Sequence, residues 1–248
     1  MRFLLSNDDG IRASGIAALE RVLREFGSVD VVAPDRERSG AGHSLTLHHP
    51  LRVANVSEGH FAVSGTPTDC VLLAIEELLP QPPDWVFSGI NHGPNMGEDV
   101  TYSGTVAAAM EGTILGRPSV ALSLGVGPHL HFEPLHETLT RLVGMLLKFP
   151  LEPAQLLNVN VPNLPPEEIR GVRVTRLGSR QYHDAVVRQK DPRGRDYYWI
   201  GGTGPEWARD ERSDAFAIEE GYVSVTPLRL DMTDYKAIVE LENLFEQW

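Results

Sequence analysis

Two carboxylates stand side by side at Asp8-Asp9, just after the apolar run Phe3-Leu4-Leu5. Adjacent acids repel one another unless a cation sits between or above them. Two more oxygen donors follow other apolar runs: Ser39 within Asp35-Arg36-Glu37-Arg38-Ser39-Gly40, and Asn91 after the stretch Trp85–Ile90. Asp8, Asp9, Ser39 and Asn91 together offer only oxygen, a set suited to Mg²⁺, Mn²⁺ or Ca²⁺ and poorly suited to structural zinc. The same residue types also close turns, because Asp and Asn bond their own backbone after a strand. Asp8-Asp9-Gly10 alone therefore leaves a plain turn and a cation site both open.

Three stretches could hold an anion. Ser103-Gly104-Thr105 stands where an alanine-rich helix begins, so free main-chain N–H groups and the helix dipole favour negative charge there. Gly93-Pro94-Asn95-Met96-Gly97 allows close approach of backbone to a ligand, and Ser64-Gly65-Thr66 is a second helix start. Each can also be an ordinary cap. His43 could position water or a leaving group, or simply be a satisfied loop residue. His129-Leu130-His131 reads more simply as a solvated loop than as a metal pair, and Cys70 as a packing residue within an apolar helix. A dinucleotide fingerprint is missing: Asp8-Asp9 occupies the turn that G-x-G-x-x-G would need, and Gly40-Ala41-Gly42 is followed by Leu45 where the third glycine belongs. No phosphate-binding G-x-x-x-x-G-K-[ST], H-E-x-x-H or G-x-S-x-G motif is present either.

These groups need elements to position them. Arg2–Ser6 reads as a buried strand. A helix follows, with Ser14 able to cap it, Ile16, Leu19, Leu23 and Phe26 on one face, and Gly27 as its stop. Val29–Ala33 is a second strand, giving a parallel βαβ unit. Thr66-Pro67-Thr68-Asp69 opens a helix from Cys70 to about Leu79, and Trp85–Ile90 is a third strand. A helix over Val106–Leu115, a strand over Ser119–Ser123, a helix over Leu135–Leu147 and a strand over Leu157–Val161 complete an α/β pattern. Gly171–Gly178, Ala185–Lys190 and Tyr197–Ile200 alternate like exposed strands. With the turn Asp191-Pro192-Arg193-Gly194, they suggest a projecting antiparallel hairpin whose Tyr197, Tyr198 and Trp199 call for a partner subunit. Gly221–Pro227 is a late strand, and Ile238, Leu241, Leu244, Phe245 and Trp248 mark a terminal helix.

The chain has 248 residues, 22 of them Lys or Arg against 34 Asp or Glu, for a net charge of −12. So acidic a surface repels duplex nucleic acid and anionic membrane, and any attraction for phosphate must be local. One cysteine excludes an internal disulfide framework, and no apolar run is long enough to span a bilayer. A cytoplasmic protein is expected.

The motifs extend well beyond these points. Leu5-Ser6-Asn7-Asp8-Asp9-Gly10, Val32-Ala33-Pro34-Asp35-Arg36 with Ser39-Gly40, and Gly65-Thr66-Pro67-Thr68-Asp69-Cys70 resemble stretches of the survival protein SurE family. So do the stretch Ser88–Asn95, the stretch Tyr102–Glu111, Asn158-Val159-Asn160-Val161-Pro162, Thr175–Gly178, Asp191–Gly194, Tyr198–Ile200 and Gly221–Pro227, across nearly the whole chain. The resemblance implies a Rossmann-like three-layer α/β/α fold with a mainly parallel sheet, a projecting C-terminal β-hairpin (171–202) and a swapped C-terminal segment (228–248). It implies one unit over 1–248 that forms a homodimer or homotetramer. The implied activity is phosphate release from nucleoside 5′- and 3′-monophosphates, and from short polyphosphate in some members, by metal-bound water. One divalent ion per subunit, Mg²⁺ or Mn²⁺ foremost, is then expected on Asp8, Asp9, Ser39 and Asn91, with Asp8 and Asp9 catalytic. Substrate phosphate is expected at Asn95, Ser103, Gly104 and Thr105, bordered by Gly40 and His43. A non-catalytic nucleotide or phosphate sensor using the same pocket is the alternative, and an NAD-linked oxidoreductase is disfavoured by the acidic first turn.

Overall fold

Continuous apolar runs become strands covered on both faces, and they order the whole molecule. The computed structural model of the chain describes residues 1–127, 132–181, 186–200 and 206–246. Its strands are β1 (Arg2–Ser6), β2 (Ser28–Pro34), β3 (Val53–Ser57), β4 (His60–Val63), β5 (Trp85–His92), β6 (Ser119–Leu124), β7 (Gln155–Val161), β8 (Val172–Val174), β9 (Arg180–Gln181), β10 (Val186–Lys190), β11 (Asp196–Ile200), β12 (Glu206–Trp207) and β13 (Val223–Arg229). The helices are α1 (Ser14–Arg24), α2 (Pro67–Leu73), α3 (Gly104–Ile114), α4 (His136–Leu146), α5 (Asp214–Glu219) and α6 (Tyr235–Phe245).

Among the described residues one nine-stranded sheet runs in the order β3-β4-β2-β1-β5-β6-β7-β13-β8. From β4 to β7 every pair is parallel, while β3 and β13 run antiparallel to their inner neighbours. The chain leaves β1 to one side for β2 and returns to its other side at β5. That makes the β1–β5 seam the switch point, where open α/β sheets bind ligands beyond their carboxyl ends. Alternate residues of β1 serve opposite layers. Phe3 and Leu5 pack with α1 and α4, and Leu4 packs with the α2–α3 side. The mixed, mostly parallel sheet flanked by helices is the α/β architecture expected.

Several local expectations are corrected. Ser14 is the first residue of α1 rather than its cap; Ala13 holds that position without a side-chain bond, and the Ser14 hydroxyl instead lies 3.4 Å from His92 Nε2. Gly27 does not end α1 through a left-handed turn. A Cβ there would lie 2.0 Å from the Met1 carbonyl oxygen, so glycine is set by close approach of two chains. The helix from Thr66 breaks at Leu73 into a single π-turn over Ala74–Leu78. Gly171–Gly178 is not part of a hairpin: β8 joins the main sheet, parallel to β13. Among the described residues β10 pairs antiparallel with β11, closed by Asp191–Gly194, and β9 pairs antiparallel with β12. Residues 182–185 and 201–205, within the hairpin region expected from the sequence, lie outside the described residues, as do His129 and His131. Among the described residues no helix is long and apolar enough to cross a membrane.

Candidate active site

At the end of β1 the turn is closed by Asn7 rather than by either acid. Its Nδ2 donates to the Gly10 carbonyl at 3.0 Å, and its Oδ1 accepts from the Gly10 N–H at 3.1 Å. The plain-turn reading thus accounts for Asn7 and leaves Asp8 and Asp9 for other work. Gly10, at φ +97°, passes so close to Arg36 that a Cβ would meet its carbonyl carbon at 3.0 Å. The Arg38 N–H donates to the Asp8 carbonyl at 2.8 Å, lacing the loop after β2 onto the loop after β1. On the other side the His92 N–H donates to Asp9 Oδ2 at 3.2 Å, joining the end of β5.

The start of α3 completes the arrangement. The Thr105 hydroxyl donates to Asp8 Oδ1, bridging 97 positions of sequence. A Cβ on Gly104 would lie 2.7 Å from Asp8 Cβ and 2.9 Å from Asp8 Oδ2, so only glycine lets the helix start approach this carboxylate. Ser103 is the N-cap, its Oγ accepting from the Val106 N–H at 3.0 Å. Gly104→Ala is therefore expected to lower turnover by about a hundredfold or more, because a displacement of about 1 Å at a reacting centre costs that much. Comparing kcat of the variant and the parent checks this; parental turnover would show that the close approach is dispensable.

Burial pushes the Asp8 carboxyl above its usual range, against the Thr105 hydroxyl, and the neighbouring Asp9 charge adds to the rise. Asp9 is raised as well, by burial first and by the Glu37 charge, with His92 opposing. Two acids that both resist ionisation at one rim form a site that a cation would relieve. Among the described residues no group of three or more His, Cys, Asp or Glu side chains is arranged to hold a metal ion. A cation here must therefore add hydroxyl, amide or main-chain oxygens to the two carboxylates, which is hard-ion chemistry.

The other expected residues are placed as follows. Asn91, next to last in β5, has its Nδ2 donating to the Gly93 carbonyl at 2.8 Å, which turns its oxygen away from that bond. Ser39 is exposed, and its hydroxyl donates to the Glu37 carboxylate at 2.7 Å. Gly40, at φ +71°, has open space around it. His43 Nε2 lies 2.8 Å from the buried Glu111 carboxylate of α3. Asn95 is buried and tightly held. Its N–H donates to Asn160 Oδ1 at 2.8 Å, its carbonyl accepts from Asn158 and Asn160, and its Nδ2 donates to Ser123 Oγ at 2.8 Å. Two residues on, the Gly97 N–H donates to the buried Asp214 at 2.9 Å. Ser64-Gly65-Thr66 proves to be an ordinary cap, with Thr66 and Asp69 satisfying each other's main-chain N–H groups.

Sequence reasoning did not single out Glu37, Asp214 or the Asn158–Asn160 pair as contributors. A signal for the last existed: two amides at alternate positions inside an otherwise apolar strand need buried partners.

Sheet and rim together define a Rossmann-like α/β protein with its polar site at the switch point of a parallel sheet. The chain belongs to the survival protein SurE family, whose model matches residues 3–184. A protein of Gemmatimonas aurantiaca named 5′-nucleotidase SurE is 56% identical over 94% of each chain. Another of that name from Aeromonas hydrophila is 53% identical over 97% of each. The crystal structure of the SurE protein from Aquifex aeolicus superposes with a TM-score of 0.88 at 46% identity, covering 98% of this chain and 99% of that one.

Proposed function

We propose that the chain is a phosphomonoester hydrolase that releases phosphate from nucleoside 5′- and 3′-monophosphates, and from short polyphosphate, with one divalent cation, Mg²⁺ or Mn²⁺, per subunit. Relatives named 5′-nucleotidase SurE support the reaction class. The observation that carries the reading is the bond from Thr105 to Asp8, which brings an anion-favouring helix start onto a paired acidic turn. Asp8, Asp9, Ser39 and Asn91 would hold the cation, which when bound neutralises phosphoryl charge and acidifies water.

The chain's own groups do the rest. The helix start at Ser103, Gly104 and Thr105, with Asn95, binds the phosphoryl oxygens and fixes their orientation. Thr105 holds Asp8 in place through Oδ1, and a carboxylate of the Asp8–Asp9 pair takes the proton of the attacking water. Gly40 and His43, the latter held by Glu111, border the leaving group. We further propose that two or four copies assemble through the β10–β11 ribbon and α6. Supporting this, Tyr198, Trp199, Leu241, Leu244 and Phe245 are each more than half exposed in the single chain.

The test is phosphate release from AMP, 3′-AMP, other nucleotides and short polyphosphate, with each divalent metal and with a chelator. Release from the nucleotides with Mg²⁺ or Mn²⁺ and none with chelator is expected. AMP binding without release under every metal would establish a sensor instead.

A further inference from the structure

We infer that Tyr102 is the residue against which the nucleobase stacks; this rests on the nucleotidase reading and adds a base subsite to it. Tyr102 stands immediately before Ser103, the N-cap of α3. An apolar residue in that position commonly folds back onto the residue four after the cap. That residue is Ala107, which is buried at 2% exposure, while Tyr102 keeps 65% of its surface exposed. The ring is therefore not serving as the helix staple.

Its backbone, by contrast, is pinned from both sides. The Tyr102 N–H donates to the Asp99 carbonyl at 3.0 Å, closing the short turn Gly97–Thr101. The Tyr102 carbonyl accepts from the Gly42 N–H at 3.2 Å, which ties it to the segment that follows Ser39. Gly42, at φ +55°, reaches this contact in a conformation that favours glycine. A fixed main chain thus carries an exposed aromatic ring one residue, about 3.8 Å between Cα atoms, from the helix start.

A nucleoside monophosphate held by its phosphate at Ser103–Thr105 has to send sugar and base outward past the residues flanking that helix start. Tyr102 is one of them, and the Gly40–His43 segment bonded to it is the other. Among the side chains at this rim Asp8, Asp9 and Glu37 are acidic, and His43 is already paired with Glu111. Stacking on an aromatic face needs no charge and accepts every base, the larger purines most strongly. The subsite therefore takes nucleoside monophosphates broadly and favours purines.

The experiment compares AMP with ribose 5-phosphate, the same ester without a base, in the parent, Tyr102→Ala and Tyr102→Phe. The quantity read is the ratio of kcat/KM for AMP to that for ribose 5-phosphate. Tyr102→Ala is expected to lower this ratio about tenfold, chiefly through KM for AMP, and to flatten the preference for AMP over CMP. Tyr102→Phe, which keeps the face and loses the hydroxyl, should stay within about twofold of the parent. An unchanged ratio in Tyr102→Ala, or an equal fall in Tyr102→Phe, overturns the stacking role. Equal parental kcat/KM on both esters overturns the base subsite while leaving the hydrolase reading standing. No release from either ester by the parent overturns both.

Discussion

Asp8→Asn and Asp9→Asn are each expected to cut phosphate release by about a thousandfold while raising the melting temperature of the metal-free protein by a few degrees. The two effects share one cause. Both carboxyls have folded-state pKa values raised from the ordinary carboxylate value, chiefly because the buried Asp8 and the partly buried Asp9 lose water at one rim. For a group raised in this way, the stability linked to its protonated form is fully present below the unfolded value. It is lost as pH climbs through the folded one. At neutral pH the ionised pair is therefore a net cost to the fold, and the amide removes part of that cost. In Asp8→Asn the amide oxygen can still accept from the Thr105 hydroxyl, so the approach of α3 is preserved. The gain in melting temperature should shrink as pH falls, because the raised parent carboxyls then take up protons and the strain of ionisation is relieved. Turnover near that of the parent with Mg²⁺ or Mn²⁺ present would remove the proposed mechanism. A sharply lowered melting temperature without metal would show that the carboxylates stabilise the fold rather than strain it.

The residue types at this rim were legible in the sequence because chemistry announces itself by type. Their division of labour was not. Asn7, Asp8 and Asp9 are all turn formers, and only the structure shows that Asn7 alone closes the turn. The link from Asp8 to Thr105 spans a distance in sequence over which no local pattern carries information.

The same divide runs through the fold. β1, β2 and α3 were readable because continuous apolar runs and a serine cap are local signals. β3 left no pattern, since all five of its residues are exposed on an edge strand. β8 was readable as a strand but not by partner, because its place beside β13 is fixed by a residue pairing about 50 positions away. Gly27, read as a helix stop, misled for a related reason. Gly15 and Gly27 are needed not for backbone angle but because Ile90 and Met1 pass within 2.0 Å of where a Cβ would stand. A close approach between distant chains leaves no trace in the neighbouring residues.

Asp214→Ala is expected to destabilise the protein by about 3 kcal/mol, lowering the melting temperature by roughly 6–12 °C. The Asp214 carboxylate is buried, and it accepts from three main-chain N–H groups. Gly97 donates to Oδ2 at 2.9 Å; Gly178 and Ala215 each donate to Oδ1 at 2.8 Å. Truncation strands all three donors at once, and at the buried Gly97 and Ala215 water is a poor substitute. The damage should reach the site. Gly97 lies two residues beyond Asn95, and a Cβ on Gly97 would meet the Gly178 carbonyl oxygen at 2.6 Å, so the two segments are packed without slack. Asn95 keeps its own bonds to Asn158 and Asn160, so its position should loosen rather than collapse. At a temperature where the variant is fully folded, KM for AMP should therefore rise several-fold, with a smaller change in kcat. Thermal denaturation together with steady-state kinetics checks both parts. A melting temperature within about 2 °C of the parent would deny Asp214 its structural role. An unchanged KM in a destabilised variant would show that Asn158 and Asn160 suffice to place Asn95.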